Sequence, residues 1–563
     1  MDWRRLLPII GLAAVSYMLV LQWSEFDNAN RTSTSTVSSA AGQVSGQTPG
    51  EDDLGVMFFD SETPTRSADT PAFTPVNDPA SEIIIETDKV IARVQLQGGD
   101  ITELALRNHT VTVDSDEPLR ILESNAGRTF IAQSGLIDSQ GRFVTRGGQF
   151  TVANDRFVMT EGSNELRVPM TLELDDGSTL IKTLVFHRGR YDIDVEFSLN
   201  NASEEAQRYS LYGTLRRDRS PDSAQRQGFA MASYLGVATT TDDDRYKKVS
   251  FKDMDNGDFA EQKYGGWIAF LQHYFVSAWV PPQNETHRYQ ARNVNGFYVA
   301  GFSSSSQTVN PGASQEWSTK LYVGPKYQND LNELADYLGL TVDYGWLWWA
   351  AQPLFKLMTF IQSFAGNWGL TIILLTLSVK VLFSPLSAAS YRSMARMRKF
   401  APKLAKLKDM YGDDRQKIAQ ETMKLYKKEK INPLGGCLPM LVQMPVFIAL
   451  YWVFMESVEL RHSPFIFWLN DLSTRDPYFI LPLLFGASMF LQMQLGTQPT
   501  DPTQQKVMKF MPIIFTAMFL LFPSGLVLYW VVNNTLSIAQ QQYINWKVER
   551  EDAQKAAAKT PAS

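Results

Sequence analysis

The sequence predicts a membrane protein with an N-terminal transmembrane anchor, a large all-β extracytoplasmic domain and a C-terminal α-helical bundle of five transmembrane helices. Three observations predict this arrangement. An apolar segment lies within residues 1–23, short alternating runs fill residues 81–340, and long apolar runs fill residues 366–545. The overall composition, with 44% hydrophobic residues and a net charge of −6, conceals this division because it averages an acidic polar half with an apolar half.

The first apolar segment, LLPIIGLAAVSYMLVLQW at residues 6–23, reaches about 27 Å as a helix, which is close to the thickness of the bilayer core. A cleaved signal peptide is the alternative, but the exit sequence has no small-x-small cleavage site. Arg4 and Arg5 precede the segment, whereas residues 24–88 carry twelve acidic residues and only two arginines. The positive-inside rule therefore predicts a cytoplasmic N-terminus and an extracytoplasmic second domain.

Residues 24–80 are rich in Ser, Thr, Asp, Gly and Pro, a composition that predicts a flexible linker because it buries too little apolar surface to fold. In residues 81–340, Val, Ile, Thr, Tyr and Phe recur with period two between Gly, Asn and Asp turns, which predicts a β-sandwich. His187 and His273 lie in strand-like sequence and are interpreted as structural, since no Cys/His spacing typical of a metal site is present. The one cysteine, Cys437, excludes a disulfide framework.

Residues 341–365 have tryptophans at one end and Lys356 among apolar residues, which is typical of an amphipathic helix at the membrane surface. The five predicted spans follow at residues 369–387, 434–455, 478–495, 507–522 and 526–538. Between the first two of these, the segment 392–431 holds 13 Lys/Arg and 5 Asp/Glu, and it predicts a basic cytoplasmic helical hairpin that turns at Gly412. Positive-inside topology and attraction to anionic lipids explain its charge. A contact with ribosomal RNA or the signal-recognition machinery is the alternative, which the charge alone does not distinguish. With six spans, both termini are cytoplasmic.

Lys380 lies inside the second span, about 10 Å from its end at Ser387. A buried ammonium at that depth costs at least about 2.5 kcal/mol unless it is hydrated or paired, and no other span contains an acidic residue. Lys380 either extends toward the cytoplasmic headgroups or faces a water-containing cavity, and we favour the cavity. The polar residues predicted to line the same space are Thr376, Gln443, Gln492, Gln494, Asn533 and Asn534. Each alone is explained by an interhelical hydrogen bond, but together they predict a polar interior in the cytoplasmic half of the bundle.

The sequence contains no G-x-x-x-x-G-K-[ST], dinucleotide-binding or G-x-S-x-G motif. An ATP-driven pump or a hydrolase is therefore not expected. We expect no bond-making chemistry and no cofactor.

The membrane half resembles the YidC/Oxa/Alb family of membrane protein insertases over residues 345–545. The segments that carry the resemblance are NWGLTIILLTLSVKVLFSPLSAASYRSMARMRKFAPKL (367–404), NPLGGCLPMLVQMPVFIALY (432–451), DPTQQKVMKFMPIIF (501–515) and FPSGLVLYWVVNN (522–534). An anchor followed by a large β domain is similar to the Gram-negative bacterial form of the family. The periplasmic domain of that form is a β-supersandwich similar to sugar-binding mutarotase-like folds.

The resemblance implies that the chain inserts and folds newly made inner-membrane proteins, alone or with the SecYEG and SecDF translocon components. Insertion proceeds through a hydrophilic groove that is open to cytoplasm and lipid. Lys380 occupies the position of the family's positively charged groove residue, which is usually Arg, so the charge is kept while the planar guanidinium is lost. The substrate-contact positions of the family carry over to Thr376, Met444, Pro445, Tyr529 and Trp530. The hairpin and the tail at 546–563 correspond to segments that contact the ribosome or the signal-recognition machinery.

Two alternatives stay open at this point. One is a small-solute or lipid transporter with a periplasmic binding domain, although no internal repeat relates the spans. The other is a membrane-anchored sugar-binding protein. Deletion of about residues 90–320 distinguishes an insertase from a sugar-binding protein. An insertase keeps most of its activity without the β domain, whereas a sugar-binding protein loses all of its activity.

Overall fold

The computed structural model describes residues 81–221, 234–412, 414–428, 438–495 and 502–557. The predicted anchor and linker (1–80), Cys437 and the end of the tail (558–563) lie outside these ranges. The described residues form a β domain followed by a helical bundle.

The described part of the β domain contains nineteen strands. In chain order these are β1 (Glu82–Glu86), β2 (Val90–Gln95), β3 (Asp100–Thr110), β4 (Pro118–Asn125), β5 (Arg128–Asp138), β6 (Arg156–Val158), β7 (Glu165–Glu173), β8 (Thr179–His187), β9 (Asp192–Asn200), β10 (Gln207–Arg217), β11 (Gly236–Thr239), β12 (Lys247–Ser250), β13 (Phe259–Tyr264), β14 (Ile268–Leu271), β15 (Phe275–Val280), β16 (Thr286–Val294), β17 (Phe297–Ser304), β18 (Gln307–Val309) and β19 (Ser314–Pro325).

The strands form two large sheets. The 11-stranded sheet has the order β13-β16-β17-β10-β5-β4-β3-β2-β1-β6, and β18 pairs with β10 beside it. The 8-stranded sheet has the order β12-β11-β14-β15-β19-β9-β8-β7. The pair β1–β6 is parallel, and neighbours such as β5–β10 and β8–β9 are antiparallel.

Alternation of side chains explains why the sheets pack face to face. Along β9, Ile193, Val195, Phe197 and Leu199 are buried, whereas the residues between them are partly exposed. Successive side chains of a strand point to opposite faces, so this pattern presents one apolar face to the other sheet. Residues of both sheets join a single apolar core, and burial of each large apolar side chain stabilises the fold by about 1.5–3 kcal/mol.

The β domain also buries a lysine, Lys182, close to the carboxylate of Asp100. The ammonium of Lys182 donates to the carbonyl oxygens of Gly99 at 2.7 Å and Ser134 at 3.0 Å. Nearby, Gln133 Nε2 donates to Asp100 Oδ2 at 2.7 Å. Burial lowers the pKa of Lys182 to about 8 and raises the pKa of Asp100, and each charge opposes the shift of the other. The ammonium of Lys182 is thus held by fixed acceptors of the other sheet, Ser134 on β5 and Gly99 just before β3.

The described residues contain eleven α-helices. In chain order these are α1 (Phe251–Asn256), α2 (Gln328–Leu334), α3 (Trp348–Ala365), α4 (Trp368–Leu382), α5 (Ser384–Lys399), α6 (Ala401–Tyr411), α7 (Arg415–Lys428), α8 (Leu438–Glu456), α9 (Ile480–Leu495), α10 (Pro502–Phe519) and α11 (Ser524–Ala557). Single 3₁₀ turns occupy Leu338–Thr341, Gly345–Leu347 and Val458–Leu460.

Within the described ranges, no single helix is both long and apolar enough to cross a membrane by itself. The pair Trp368–Leu382 and Ser384–Ala395 meets the requirement together, with a bend of 67° between its two parts. Gln443–Glu456, Ile480–Leu495 and Val507–Phe519 are shorter apolar helices.

The basic hairpin differs from its prediction in the first arm. The sequence predicts one helix over residues 391–412, but the chain breaks at Phe400 and α6 restarts with Pro402 in its first turn. Proline has no N–H and its ring clashes with the carbonyl four residues earlier, so it is accepted only at a helix start. Pro385 follows the bend between α4 and α5 in the same way. The predicted turn is present at Gly412, which has a φ of +55°.

The β domain contacts the C-terminal end of α8. His273 Nε2 donates to the carbonyl oxygen of Met455 at 2.9 Å. Lys326 Nζ lies 3.7 Å from Glu456 Oε2, and both side chains are buried. Burial lowers the pKa of Lys326, while Glu456 acts against that shift. A buried ion pair therefore joins the two regions.

Candidate functional site: a polar line along the last helix

The candidate site is built around α11, which packs against α4, α5 and α9. This helix contains 34 residues; residues 525–532 are apolar or aromatic, and the polar side chains begin at Asn533. Asn533, Asn534, Ser537 and Gln541 follow one another at spacings that share one side of a helix. We call these four residues the polar line.

Lys380 reaches the polar line from α4. Its half-buried ammonium donates to Ser537 Oγ at 2.7 Å, and the Ser537 hydroxyl donates to the backbone oxygen of Asn533 at 2.6 Å. From α8, Gln443 Nε2 donates to Asn533 Oδ1 at 3.0 Å. Side chains of three helices are therefore joined in one hydrogen-bonded chain.

The polar line also contacts α9. Asn534 Nδ2 donates to Ser488 Oγ at 3.3 Å, and Gln541 Nε2 donates to the backbone oxygen of Leu495 at 3.0 Å. Both α11 side chains are buried. These bonds satisfy polar groups that would otherwise be left unpaired between apolar helices.

The charge on Lys380 has no carboxylate partner among the described residues. Its hydrogen-bond acceptor is a neutral hydroxyl. An ammonium in this position attracts anions more strongly than one on the protein surface, because the surrounding helices lower the dielectric constant.

An aromatic layer lies toward the other end of α11. Trp530 packs against Phe447 of α8, Phe485 of α9 and Phe519 of α10, with ring centroids 4.6, 5.8 and 5.7 Å away. Tyr529 is buried and stacks on Phe447 at 6.3 Å. The layer is about 12 Å along the helix from Ser537, so the site is polar on one side and closed by rings on the other.

The outside of the bundle is apolar. The large apolar side chains exposed on α4, α9 and α10 include Val381, Leu382, Leu483, Phe490, Phe510, Ile513 and Ile514. Exposed patches of this kind indicate contact with a membrane or an apolar partner. The polar line therefore lies within a structure whose outer surface suits lipid.

The structure brings together three of the predicted groove residues, namely Lys380, Gln443 and Asn533. The other predicted groove residues lie outside this set of hydrogen bonds. Thr376 is buried and donates to the Ile372 carbonyl of its own helix, at 2.6 Å. Met444 is exposed on α8, where Pro445 is half-buried, and Gln492 is half-buried on α9.

Two serines in the site, Ser537 and Ser488, are missing from the sequence-based prediction. Serines in transmembrane helices commonly bond to their own backbone, so their presence alone gives little information. The spacing of four residues between Asn533 and Ser537 is the signal that was available.

Two family models match the chain: the YidC periplasmic domain over residues 82–357 and the 60Kd inner membrane protein over residues 360–551. The membrane protein insertase YidC of Cellvibrio japonicus (strain Ueda107) is 45% identical over 564 residues, covering 98% of this chain and 100% of that protein. The membrane protein insertase YidC of Pseudomonas fluorescens (strain Pf-5) is 48% identical over 564 residues, covering 98% and 99%. The chain belongs to the YidC family of membrane protein insertases.

Membership of the YidC family confirms the resemblance seen in the sequence, and the fold class with it: a large all-β periplasmic domain of two sheets and a set of C-terminal helices. A solved structure of an active YidC insertase, with its first transmembrane domain resolved, is similar to this chain. The two are 18% identical with a TM-score of 0.38, over 82% of this chain and 92% of the other.

Proposed function

We propose that the chain is a membrane protein insertase and chaperone, which inserts newly made inner-membrane proteins through a groove lined by α4, α8 and α11. The observation that carries the proposal is the hydrogen-bonded chain from Lys380 through Ser537 to Asn533 and Gln443. The relatives named as insertases support the same function. A transporter is not favoured by these relatives.

In the proposed mechanism, the polar line shortens the path of a polar substrate segment through hydrocarbon. Lys380 attracts acidic side chains of that segment, since no carboxylate among the described residues neutralises it. The aromatic layer limits water passage toward the periplasm. The substrate helix then leaves sideways into lipid along α8 and α10, driven by burial of its own apolar side chains. No covalent step is required, so we propose no enzymatic chemistry.

The proposed topology has both termini in the cytoplasm and the β domain in the periplasm of a bacterial cell. The basic hairpin supports it, because Lys403, Lys406, Lys417 and Lys424 on α6 and α7 are exposed. The exposed tryptophans before and within α3, Trp346, Trp348 and Trp349, fit an interfacial helix beside the periplasmic surface. We propose the domain boundaries and the six spans at the limits predicted from the sequence.

The proposed partners are nascent membrane proteins in the groove, SecYEG and SecDF beside the bundle, and the ribosome or signal-recognition machinery at the hairpin and tail. Anionic lipids are proposed partners of the hairpin, because clustered lysines near a membrane bind acidic headgroups at about 1 kcal/mol per residue.

Complementation of a strain depleted of its own insertase tests the electrostatic role of Lys380. Lys380→Glu should abolish growth and Lys380→Arg should support it, because only the charge is required. Lys252→Glu makes the same change at an exposed position on α1 and should have no effect. Each variant must be detected in the membrane at the wild-type level. Growth of the Lys380→Glu strain at the wild-type rate would refute the proposal.

Crosslinking tests where the substrate passes. A photoreactive residue at Met444, which is exposed beside Gln443, should crosslink to ribosome-bound nascent membrane proteins. The same residue at Leu483, which is exposed on α9 near the opposite end of the bundle, is the control. Equal crosslinking at both positions would show that the nascent chain does not prefer the groove.

A further inference from the structure

An open cavity of about 470 Å³ lies where the β domain meets the bundle. Residues 111–114, which follow β3, form one wall, and the loop between α8 and α9 (residues 457–479) forms the other. Its volume is within the range of about 300–1,000 Å³ that is typical of small-ligand sites. This cavity is separate from the polar line.

The loop that forms the cavity is firmly held. Asp471 Oδ1 accepts the backbone N–H groups of His462 at 3.1 Å and Ser473 at 2.8 Å. Asp476 Oδ1 accepts the indole N–H of Trp468 at 2.9 Å. These N–H donors reduce the negative potential of the two carboxylates, and they fix the indole of Trp468 at the cavity wall.

Arg461 and Arg475 line the loop wall of the cavity, and the facing wall carries one exposed carboxylate, Asp114. Arg461 Nη2 donates to the carbonyl oxygens of Thr110 at 2.5 Å and Val111 at 3.3 Å, which fixes its guanidinium between loop and β domain. Arg475 lines the same cavity and is exposed. The pKa of His109, beside the cavity, is lowered to about 4, first by burial and then by Arg461, His462 and Lys89. Arg461, His462 and Lys89 are therefore the basic groups that act on His109.

Apolar side chains flank the cavity on the same loop. Ile466 and Phe467 precede Trp468, and Phe467 is 85% exposed. Tyr478 and Phe479 follow the lining residue Pro477, and they are exposed as well. Exposed aromatic residues next to basic groups are typical of a membrane interface, where rings enter the lipid and cations meet phosphates.

We propose that this cavity binds the phosphodiester headgroup of a phospholipid from the outer leaflet of the inner membrane. The phosphate lies at the wall formed by Arg461 and Arg475, and the acyl chains leave past Phe467 and Phe479. Guanidinium groups bind phosphate oxygens through charge-assisted hydrogen bonds, which are about twice as strong as neutral ones. The bound lipid then bridges the β domain and the bundle. The proposal rests on the proposed function for the depth of this loop in the membrane.

Titration calorimetry on the delipidated full-length protein in maltoside detergent tests the proposal. The probe is dihexanoylphosphatidylglycerol below its micelle concentration, with inorganic phosphate in a parallel titration. Arg475→Gln should weaken lipid binding about tenfold, as expected for one charged hydrogen bond. Val113→Trp should abolish it by filling the cavity from an exposed position. Arg208→Gln, at an exposed arginine of β10, should bind as the wild type does.

Wild-type affinity in both Arg475→Gln and Val113→Trp would overturn the proposal. So would equal affinity for inorganic phosphate, which would identify a site for free anions instead of a lipid site. Lys380→Glu should bind the lipid normally in this assay. A failure of the insertase proposal is therefore seen in complementation alone, and a failure of the lipid proposal is seen in calorimetry alone.

Discussion

In the β domain, apolar side chains face inward and polar ones face outward, whereas the bundle also buries polar side chains and exposes apolar ones. Val195 and Phe197 are buried between sheets, with Asp194 and Glu196 on the outer face. In the bundle, Asn534 and Ser537 are buried, while Ile513 and Ile514 are exposed. The bundle therefore combines an apolar core with buried polar side chains and an exposed apolar surface.

The two regions also differ in the hydrogen-bond acceptors that they provide for a lysine inside the structure. Lys182 of the β domain donates to two fixed carbonyl oxygens and is close to Asp100. Lys380 of the bundle donates to a serine hydroxyl that can rotate. A charge with fixed acceptors stabilises one structure, whereas a charge on a weak neutral acceptor is available to an incoming anion. The β domain therefore holds its lysine in one fixed arrangement, whereas the bundle leaves Lys380 able to exchange its acceptor for an anion.

The boundary between the two regions should give the largest effect on stability. Lys326→Met leaves the buried carboxylate of Glu456 without its cation, and we expect the free energy of unfolding to fall by about 3–5 kcal/mol. The double variant Lys326→Met/Glu456→Met should recover most of the loss. Denaturant unfolding of the full-length protein in detergent measures both. Lys320→Met, which breaks a partly exposed pair with Asp194, should cost less than about 1 kcal/mol. Equal losses at Lys326 and Lys320 would contradict the role of burial.

A matched pair of leucine substitutions tests the exposed apolar surface directly. Leu184→Ala removes a fully buried side chain of the β core, and the expected loss is about 2–5 kcal/mol. Leu483→Ala makes the same change at a 61% exposed position of α9 and should change stability by about 0.5 kcal/mol or less. Thermal unfolding in detergent compares them. A large loss at Leu483 would indicate that this surface packs against protein.

His109 gives the β domain a defined pH dependence. Burial and the nearby basic groups lower its pKa to about 4 from 6.5, so between these values the unfolded chain binds more protons than the folded one. Stability therefore rises with pH across this window and is lost on acidification, by up to about 3 kcal/mol. His109→Phe removes this titration. The difference in unfolding free energy between pH 7 and pH 4.5 should be smaller in the variant, and an unchanged difference would exclude His109 as the source.

The smallest effect on stability is expected for substitutions in the polar line. Asn533→Leu removes the acceptor of Gln443, and hydrogen bonds between membrane helices contribute about 0.6 kcal/mol on average. Insertion activity should fall much more than stability. The control is Thr535→Leu, since Thr535 is exposed on the same helix and bonds only to its own backbone among the described contacts. Equal insertion defects in the two variants would assign the effect to α11 as a whole.

The sequence predicts the β domain and the order of helices well, because period-two alternation and long apolar runs report directly on burial. It predicts Lys380, Gln443 and Asn533 because polar residues in apolar runs stand out. Their mutual contact depends on how α4, α8 and α11 are rotated about their axes. The periodicity of the sequence does not determine these rotations. The same limit applies to Ser537 and to the ion pair of Lys326.

Helix ends were harder to predict than helix positions. The last span is predicted to end near residue 538, yet α11 continues to Ala557. Hydropathy marks where a helix stops being apolar, while the following segment is rich in Gln, Lys, Glu and Ala, which are strong helix formers. The split of the hairpin at Phe400 depends on Pro402, a signal that was visible but outweighed by the helical pattern around it.

The length of α11 has a mechanical consequence. At 1.5 Å per residue its 34 residues extend about 51 Å, whereas the hydrocarbon layer is about 30 Å thick. One continuous helix thus begins beside the loop of residues 457–479, passes Ser537, and is about 20 Å longer than that layer. A load applied near Ala557 is transmitted along the helix as a tilt or a twist, and it reaches the hydrogen bond of Lys380 without any joint in between.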